Sequence, residues 1–218
     1  MTLAFDTSPA NAIANLADLI EEIRDELDND AFDLNKIYRA LGRAEARFNR
    51  DLRTERMETE TDLSITDEET DLPLDFLEMR NIYAEGSPDN PLKSLSPAGI
   101  RSLYLGQSGT PSAYAIENRR IIVAPVGAAL LTLVYYQRIP ALTVDNPANW
   151  LIEDMPDLYL HQALAILYNK LRDDTAAQIN QQAANAIIDS ANKAALRGHW
   201  GGAPLTPVLI RQVQGAAR

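Results

Sequence analysis

His161 follows Asp157 by one helical turn in the stretch "MPDLYLHQALAIL". A carboxylate that orients an imidazole in this way can make a general base, and with more His, Asp or Glu ligands at helical spacing it can make a metal site. No such ligands accompany it, so His161 reads as a hydrogen-bonded structural histidine. His199, the other of the two histidines, stands alone at an expected helix end, where its partial charge suits the helix dipole. Seven carboxylates crowd "ETETDLSITDEETD". Calcium takes such oxygens, but the calcium-loop spacing, with its Gly and terminal Glu, is missing, and the segment reads as a solvated acidic edge. "GQSG" lacks the strand–turn–helix context of a nucleophilic serine, and "GQSGTPSAYAIENRR" lacks the Lys of a phosphate loop. There is no Cys, which excludes disulfides, thiolate catalysis and thiolate metal sites. These residues assemble no active site: the chain reads as a non-enzyme with no cofactor and no metal.

Arg43, Arg47, Arg50 and Arg53 form a basic stripe with spacings of 4, 3 and 3. Such a stripe can touch DNA phosphates, or it can pair with acids of this chain or of a neighbour. Glu45, Asp51 and Glu55 are interleaved with it, which favours pairing. The charge balance of the whole chain agrees. Net charge is −11, and such a surface repels a phosphate backbone. The charge is also blocked along the chain. Residues 1–30 carry net −7 (eight acids, one base), 31–56 net +3 (four acids, seven bases), 57–90 net −10 (eleven acids, one base) and 91–218 net +3 (eight acids, eleven bases). Alternating blocks of sign favour assembly against a copy or a partner. Apolar residues at 46% and charged residues at 23% of 218 suit a soluble globular protein of one domain, or one domain with an insertion. No apolar run approaches the roughly 20 residues of a membrane helix, and "MTLAFDTSPA" lacks a signal peptide's basic start.

The elements that carry these residues follow from periodicity. A first helix is expected in "SPANAIANLADLIEEIRDELDND", capped by Ser8 with Pro9 at the first helical position, and with the stripe Ile13, Leu16, Ile20, Ile23 and Leu27. A second is expected after Asp33, with Leu34, Ile37, Leu41, Ala44 and Phe48 in line; the two should fold into a hairpin with opposite charges across the seam. Glu58 to Ile65 reads as a strand, followed by a turn or short helix near Leu74 to Leu77. Ser96 and Pro97 open a short helix. Two strands flank Glu117–Asn118–Arg119, and a third β-run in "ALLTLVYYQRIPAL" ends at Pro140. A helix returns after Pro156 with Leu160, Leu164, Leu167 and Leu171. A last one follows, with Thr175 as cap, Ile179, Ala183, Ala186, Ile187 and Ala194 as stripe, and Gly198 past its end. The fold class is therefore mainly α with a β-rich insertion. Residues 1–56 and 147–197 form a bundle of two N-terminal and two C-terminal helices, 57–146 hold a small antiparallel β region, and 198–218 form an extended C-terminal arm. In that arm, Pro204 and Pro207 favour extended backbone, Leu205, Val208, Leu209 and Ile210 are apolar, and Arg211 is basic, a composition suited to docking on a partner.

Five stretches, in order, resemble the head–tail connector (adaptor) proteins of tailed bacteriophages and related particles: "AEARFNRDLRTERMETETDLSI", "LPLDFLEMRNIY", "PLKSLSPAGIRSLY", "GTPSAYAIENRRIIVAPVGAALLTLVYYQRIPALT" and "NWLIEDMPDLYLHQALAILYNKLRDD". The likeness runs from about residue 34 to residue 175. It implies a virion protein of the neck between head and tail, assembled in the host cytoplasm. Many copies, typically about twelve, would form a ring on the portal protein. The ring would extend the channel through which DNA passes without specific binding, and would dock the next neck or tail-completion (stopper) protein. The resemblance carries no catalytic residues and implies no membrane partner. It makes "NWLIEDMPDLYL" an elbow between β insert and third helix, with Trp150 and Tyr159 as packing or interface anchors. The alternative reading is a nucleic-acid-binding ring of the DNA-packaging machinery, which would call for a basic helix-turn-helix.

Overall fold

The computed structural model describes residues 13–199 other than Glu68. Helix α1 spans Leu16–Glu26. Asn15 Oδ1 accepts the backbone N–H groups of Ala17 (2.8 Å) and Asp18 (3.2 Å), and Asp18 accepts from the backbone of Ala14 and the side chain of Asn15. This reciprocal cap fixes the start of the helix. Ser8 and Pro9, where sequence places the cap, lie outside the described residues. Helix α2 spans Leu34–Asp51, capped by Asp33 through the Asn35 N–H at 2.9 Å. A short 3-10 turn at Glu55–Met57 leads into the β region: β1 (Glu58–Ile65), β2 (Glu69–Asp71), β3 (Phe76–Ala84), β4 (Lys93–Ser94), helix α3 (Pro97–Leu103), β5 (Ala113–Glu117), β6 (Arg120–Ala124) and β7 (Ala129–Gln137). The chain returns to helix in α4 (Trp150–Asp154), α5 (Pro156–Leu171) and α6 (Asp174–His199).

α5 is the hub of the helical part. α1, α2, α4 and α6 all pack closely on it, and it buries Leu158, Tyr159, Ala163, Leu164 and Leu167 on several sides. This corrects the expected α1–α2 hairpin. Leu16, Ile20 and Ile23 are buried as the stripe predicts, but α1 and α2 share α5 as partner because it offers apolar surface to both. No ion pair joins α1 to α2 among the described residues. Leu171, expected in the α5 stripe, is 52% exposed. In α6 the cap is Asp173, whose Oδ1 accepts the Ala176 N–H at 3.0 Å, in place of Thr175. Gly198 falls inside the helix, which runs on to His199. The buried row is Ala177, Ala184, Ile188 and Ala195, while Ile179 is 62% exposed. Alanines occupy several sides of α6, so its rotation is set by amide side chains: Asn192 accepts the Arg53 N–H (2.8 Å) and donates to the Asp51 carbonyl (2.8 Å).

The strands form two sheets. One is antiparallel, in the order β1–β7–β3; the other has the order β2–β6–β5–β4, with β4 parallel to β5. Ile121 and Val123 of β6 face Leu131, Leu133 and Tyr135 of β7 across a shared core, and Ile122 and Ala124 point the other way under Ile100 of α3. β6 is thus buried on both faces, and it reads as a continuous apolar run. Its turn with β5 places Asn118 and Arg119 at φ 49° and 63°, the two positive values that suit a tight hairpin to twisted strands. Two expectations for the fold change here. The residues near Leu74–Leu77 form a turn, but from Phe76 the chain is a nine-residue strand whose bulges at Phe76/Glu78 and Met79/Asn81 break the alternation. With about 46% of the described residues in helix and 24% in strand, the fold is mixed α/β, with two sheets, one of them mixed, where a mainly α bundle with an antiparallel insert was expected.

Candidate functional site

The elbow that carries Trp150 and Tyr159 is built on α2. Chain leaving β7 has no strand to pair with, so its backbone donors need side-chain acceptors. Glu45 and Asn49, one turn apart on α2, supply them: Asn49 Oδ1 accepts the Ile139 N–H (2.8 Å) and Glu45 Oε1 the Leu142 N–H (2.7 Å). Asn149 closes the other side. Its Nδ2 donates to the Pro140 carbonyl (2.6 Å) and to the Tyr159 hydroxyl (2.9 Å), while its Oδ1 caps α4 at the Ile152 N–H (3.0 Å). The Tyr159 hydroxyl donates to Glu45 Oε1 (3.3 Å), and its ring meets Phe48 edge-to-face at 5.1 Å. Burial raises the Glu45 carboxyl above its usual range, against the lowering effect of the Leu142 N–H and the Tyr159 hydroxyl. Burial likewise raises the Tyr159 phenol.

Tyr159 is fully buried within the chain, so it is a core anchor and offers no surface for a contact. Trp150 is half-buried against the helical core. The sequence marks Glu45 only as an acid interleaved with the basic stripe, whereas it turns inward to Leu142 and Tyr159; Asn49 and Asn149 carry no mark at all. A carboxylate and an amide at i and i+4, both beside the apolar stripe of α2, were the available signal.

A second seam ties the end of α2 to the sheets. Arg53 pairs with Glu78 (2.7 Å) and Arg80 with Glu58 (3.2 Å), and the two guanidinium groups lie 5.7 and 5.5 Å from the Tyr136 ring centre. Arg56 makes a two-pronged bond to Asp154, at 2.9 and 3.0 Å. Arg47 reaches Asp51, Gln162 and Asn185. Arg47, Arg50 and Arg53 of the basic stripe are therefore paired within the chain.

His161 sits on α5 with Nδ1 2.9 Å from Asn180 Oδ1 of α6, in place of an Asp157 partner. Among the described residues no group of three His, Asp or Glu side chains is placed to hold a metal, and no helix is long and apolar enough to cross a membrane. The acidic edge takes a defined form. On β1, Glu58, Glu60 and Asp62 stand opposite Tyr136, Val134 and Thr132, on the face of the sheet turned away from the shared core. Thr132 donates to Asp62 at 3.0 Å. Pro204, Leu205, Pro207, Val208, Leu209, Ile210 and Arg211 lie outside the described residues.

Comparison with known proteins adds one finding. The family model described as SU10 adaptor protein matches residues 14–208, which takes in the helical part and both sheets. No curated protein matches the chain.

Proposed function

The chain belongs to the SU10 adaptor protein family, a phage head–tail adaptor family, and from that premise we propose that it is a structural ring subunit on the capsid portal. The ring extends the DNA channel and presents its far side to the next neck or tail component. The observation that carries this reading is the match over residues 14–208. The charge layout supports the finer part of it. DNA has to slide through a neck without sticking, and a wall of like sign repels phosphates. The outer face of the β1–β7–β3 sheet, where Glu60 and Asp62 are exposed, is the surface we assign to that wall. The buried polar elbow at Glu45, Asn149 and Tyr159 ties the chain that leaves β7 to α2 and α5, a fixed join that suits a subunit repeated round a ring. The segment 204–211 serves in this reading as a docking arm for the portal or the adjacent subunit.

Complementation tests the proposal. DNA-filled heads made without this protein should fail to join tails, and the purified chain should restore joining. Heads that join tails equally well without it would sink the reading.

A further inference from the structure

The cations of α2 and of the residues just after it fall into two groups. Arg47, Arg50, Arg53 and the following Arg56 are each paired with a carboxylate of the same subunit: Asp51, Asp51, Glu78 and Asp154. Lys36, Arg39 and Arg43, on the first half of the same helix, have no ion pair among the described residues, and neither does Lys170 at the end of α5. All four are exposed. α2 packs on α5, which brings Lys170 to the side of these cations: partial desolvation and the charges of Arg43, Arg39 and Lys36 hold its ammonium below the usual range. Four like charges in one place repel one another, and a chain of net −11 has carboxylates to spare for neutralising them.

The matching surface is on α1. Glu21 and Asp25, one turn apart, stand on its outward side, opposite the buried Leu16, Ile20 and Ile23; Asp28 follows just past the end of the helix, at φ 49°, and all three are exposed. None makes an ion pair or side-chain hydrogen bond among the described residues. The three carboxylates at this end of α1 equal the three cations of α2 in number and are opposite in sign.

We infer that the acidic face of α1 in one copy docks on the Lys36, Arg39, Arg43 and Lys170 cluster of the next copy. The contact joins two different patches, so it runs head to tail, and such a contact closes into a ring when the rotation between copies allows. It rests on the ring reading above and assigns that reading its subunit interface. Contact brings the opposite charges inside the roughly 8–10 Å over which salt leaves them visible to each other.

Charge reversal tests the pairing. One chain carries Glu21→Lys, Asp25→Lys and Asp28→Lys; the other carries Lys36→Glu, Arg39→Glu and Arg43→Glu. Self-association of the full chain is read by sedimentation and chemical cross-linking, alone and with portal-bearing heads. Circular dichroism melts verify folding. A reversal that unfolds the chain is replaced by its Gln or Asn counterpart, for which the mixture should form pairs and no larger species. Wild type should associate, and each reversed chain alone should associate at least about tenfold more weakly. An equimolar mixture of the two should recover, because each reversed face meets its complement. Reversed chains that assemble like wild type, or a mixture no better than its parts, overturn the inference and leave the adaptor reading standing. So does a defect confined to the basic-face variant together with lost binding to a fluorescent DNA duplex, which would assign the cluster to phosphates. Wild type that never self-associates, in solution or on heads, removes the ring reading and this interface with it.

Discussion

Tyr159→Phe removes one oxygen from the elbow and leaves the ring contact with Phe48. Two hydrogen bonds go: the one received from Asn149 Nδ2 (2.9 Å) and the one given to Glu45 Oε1 (3.3 Å). Glu45 keeps the Leu142 N–H, and Asn149 keeps the Pro140 carbonyl, but the second N–H of Asn149 is left buried without a partner. An unsatisfied buried donor costs about 1–3 kcal/mol, so a loss of about 2 kcal/mol is expected. Tyr159→Ala also empties the space of a fully buried ring and should cost about 4 kcal/mol. Urea unfolding of the full chain measures both, with the midpoint falling at unchanged slope. The losses should not depend on protein concentration, because the side chain lies within one subunit. A Tyr159→Phe chain within about 0.3 kcal/mol of wild type would refute the network's role, since that lies well below the expected cost. A loss that grows on dilution would place the ring at a contact between subunits.

Glu45→Gln should change how stability depends on pH. Glu45 binds its proton more tightly folded than unfolded, so its contribution is full below the unfolded carboxylate value and is lost as pH rises through the raised folded value. Unfolding of wild type and Glu45→Gln across the acid range checks this, and the wild type should lose ground relative to the variant as pH rises. Arg172 ends α5 at φ 64°, in the left-handed region. Arg172→Gly should therefore stabilise by about 0.5–1 kcal/mol, read as a higher urea midpoint. A chain ending at Gly202 should unfold at the same urea concentration as the full chain, and should bind portal-bearing heads more weakly in co-sedimentation.

Much of this layout is legible in the residues. The bounds of β1, the Asp33 cap, the short helix at Pro97 and the Asn118–Arg119 turn follow from local chemistry that no distant contact overrides. A stripe such as Leu16, Ile20 and Ile23 tells which face is buried but not which helix covers it, so α5 as common partner is not readable from α1 or α2. β3 is hidden because its bulges shift the register that a period of two relies on. β2 and β4, at three and two residues, are too short to carry a period. α6 offers alanine on several sides, and its rotation depends on Asn192 meeting a backbone far away in sequence. The polar half of the elbow comes from Glu45 and Asn49, about 100 residues earlier in the chain, beyond the reach of any local pattern. The charge blocks were visible as counts; which cations remain unpaired required the folded chain.

Cryo-electron microscopy of portal-bearing heads saturated with the purified full chain tests the central claim most directly. The account predicts a closed ring coaxial with the portal, with the β1–β7–β3 face toward the channel axis and α1 of each subunit against α2 and the end of α5 of the next. Heads whose portal stays bare, or subunits bound singly and off the axis, would contradict it.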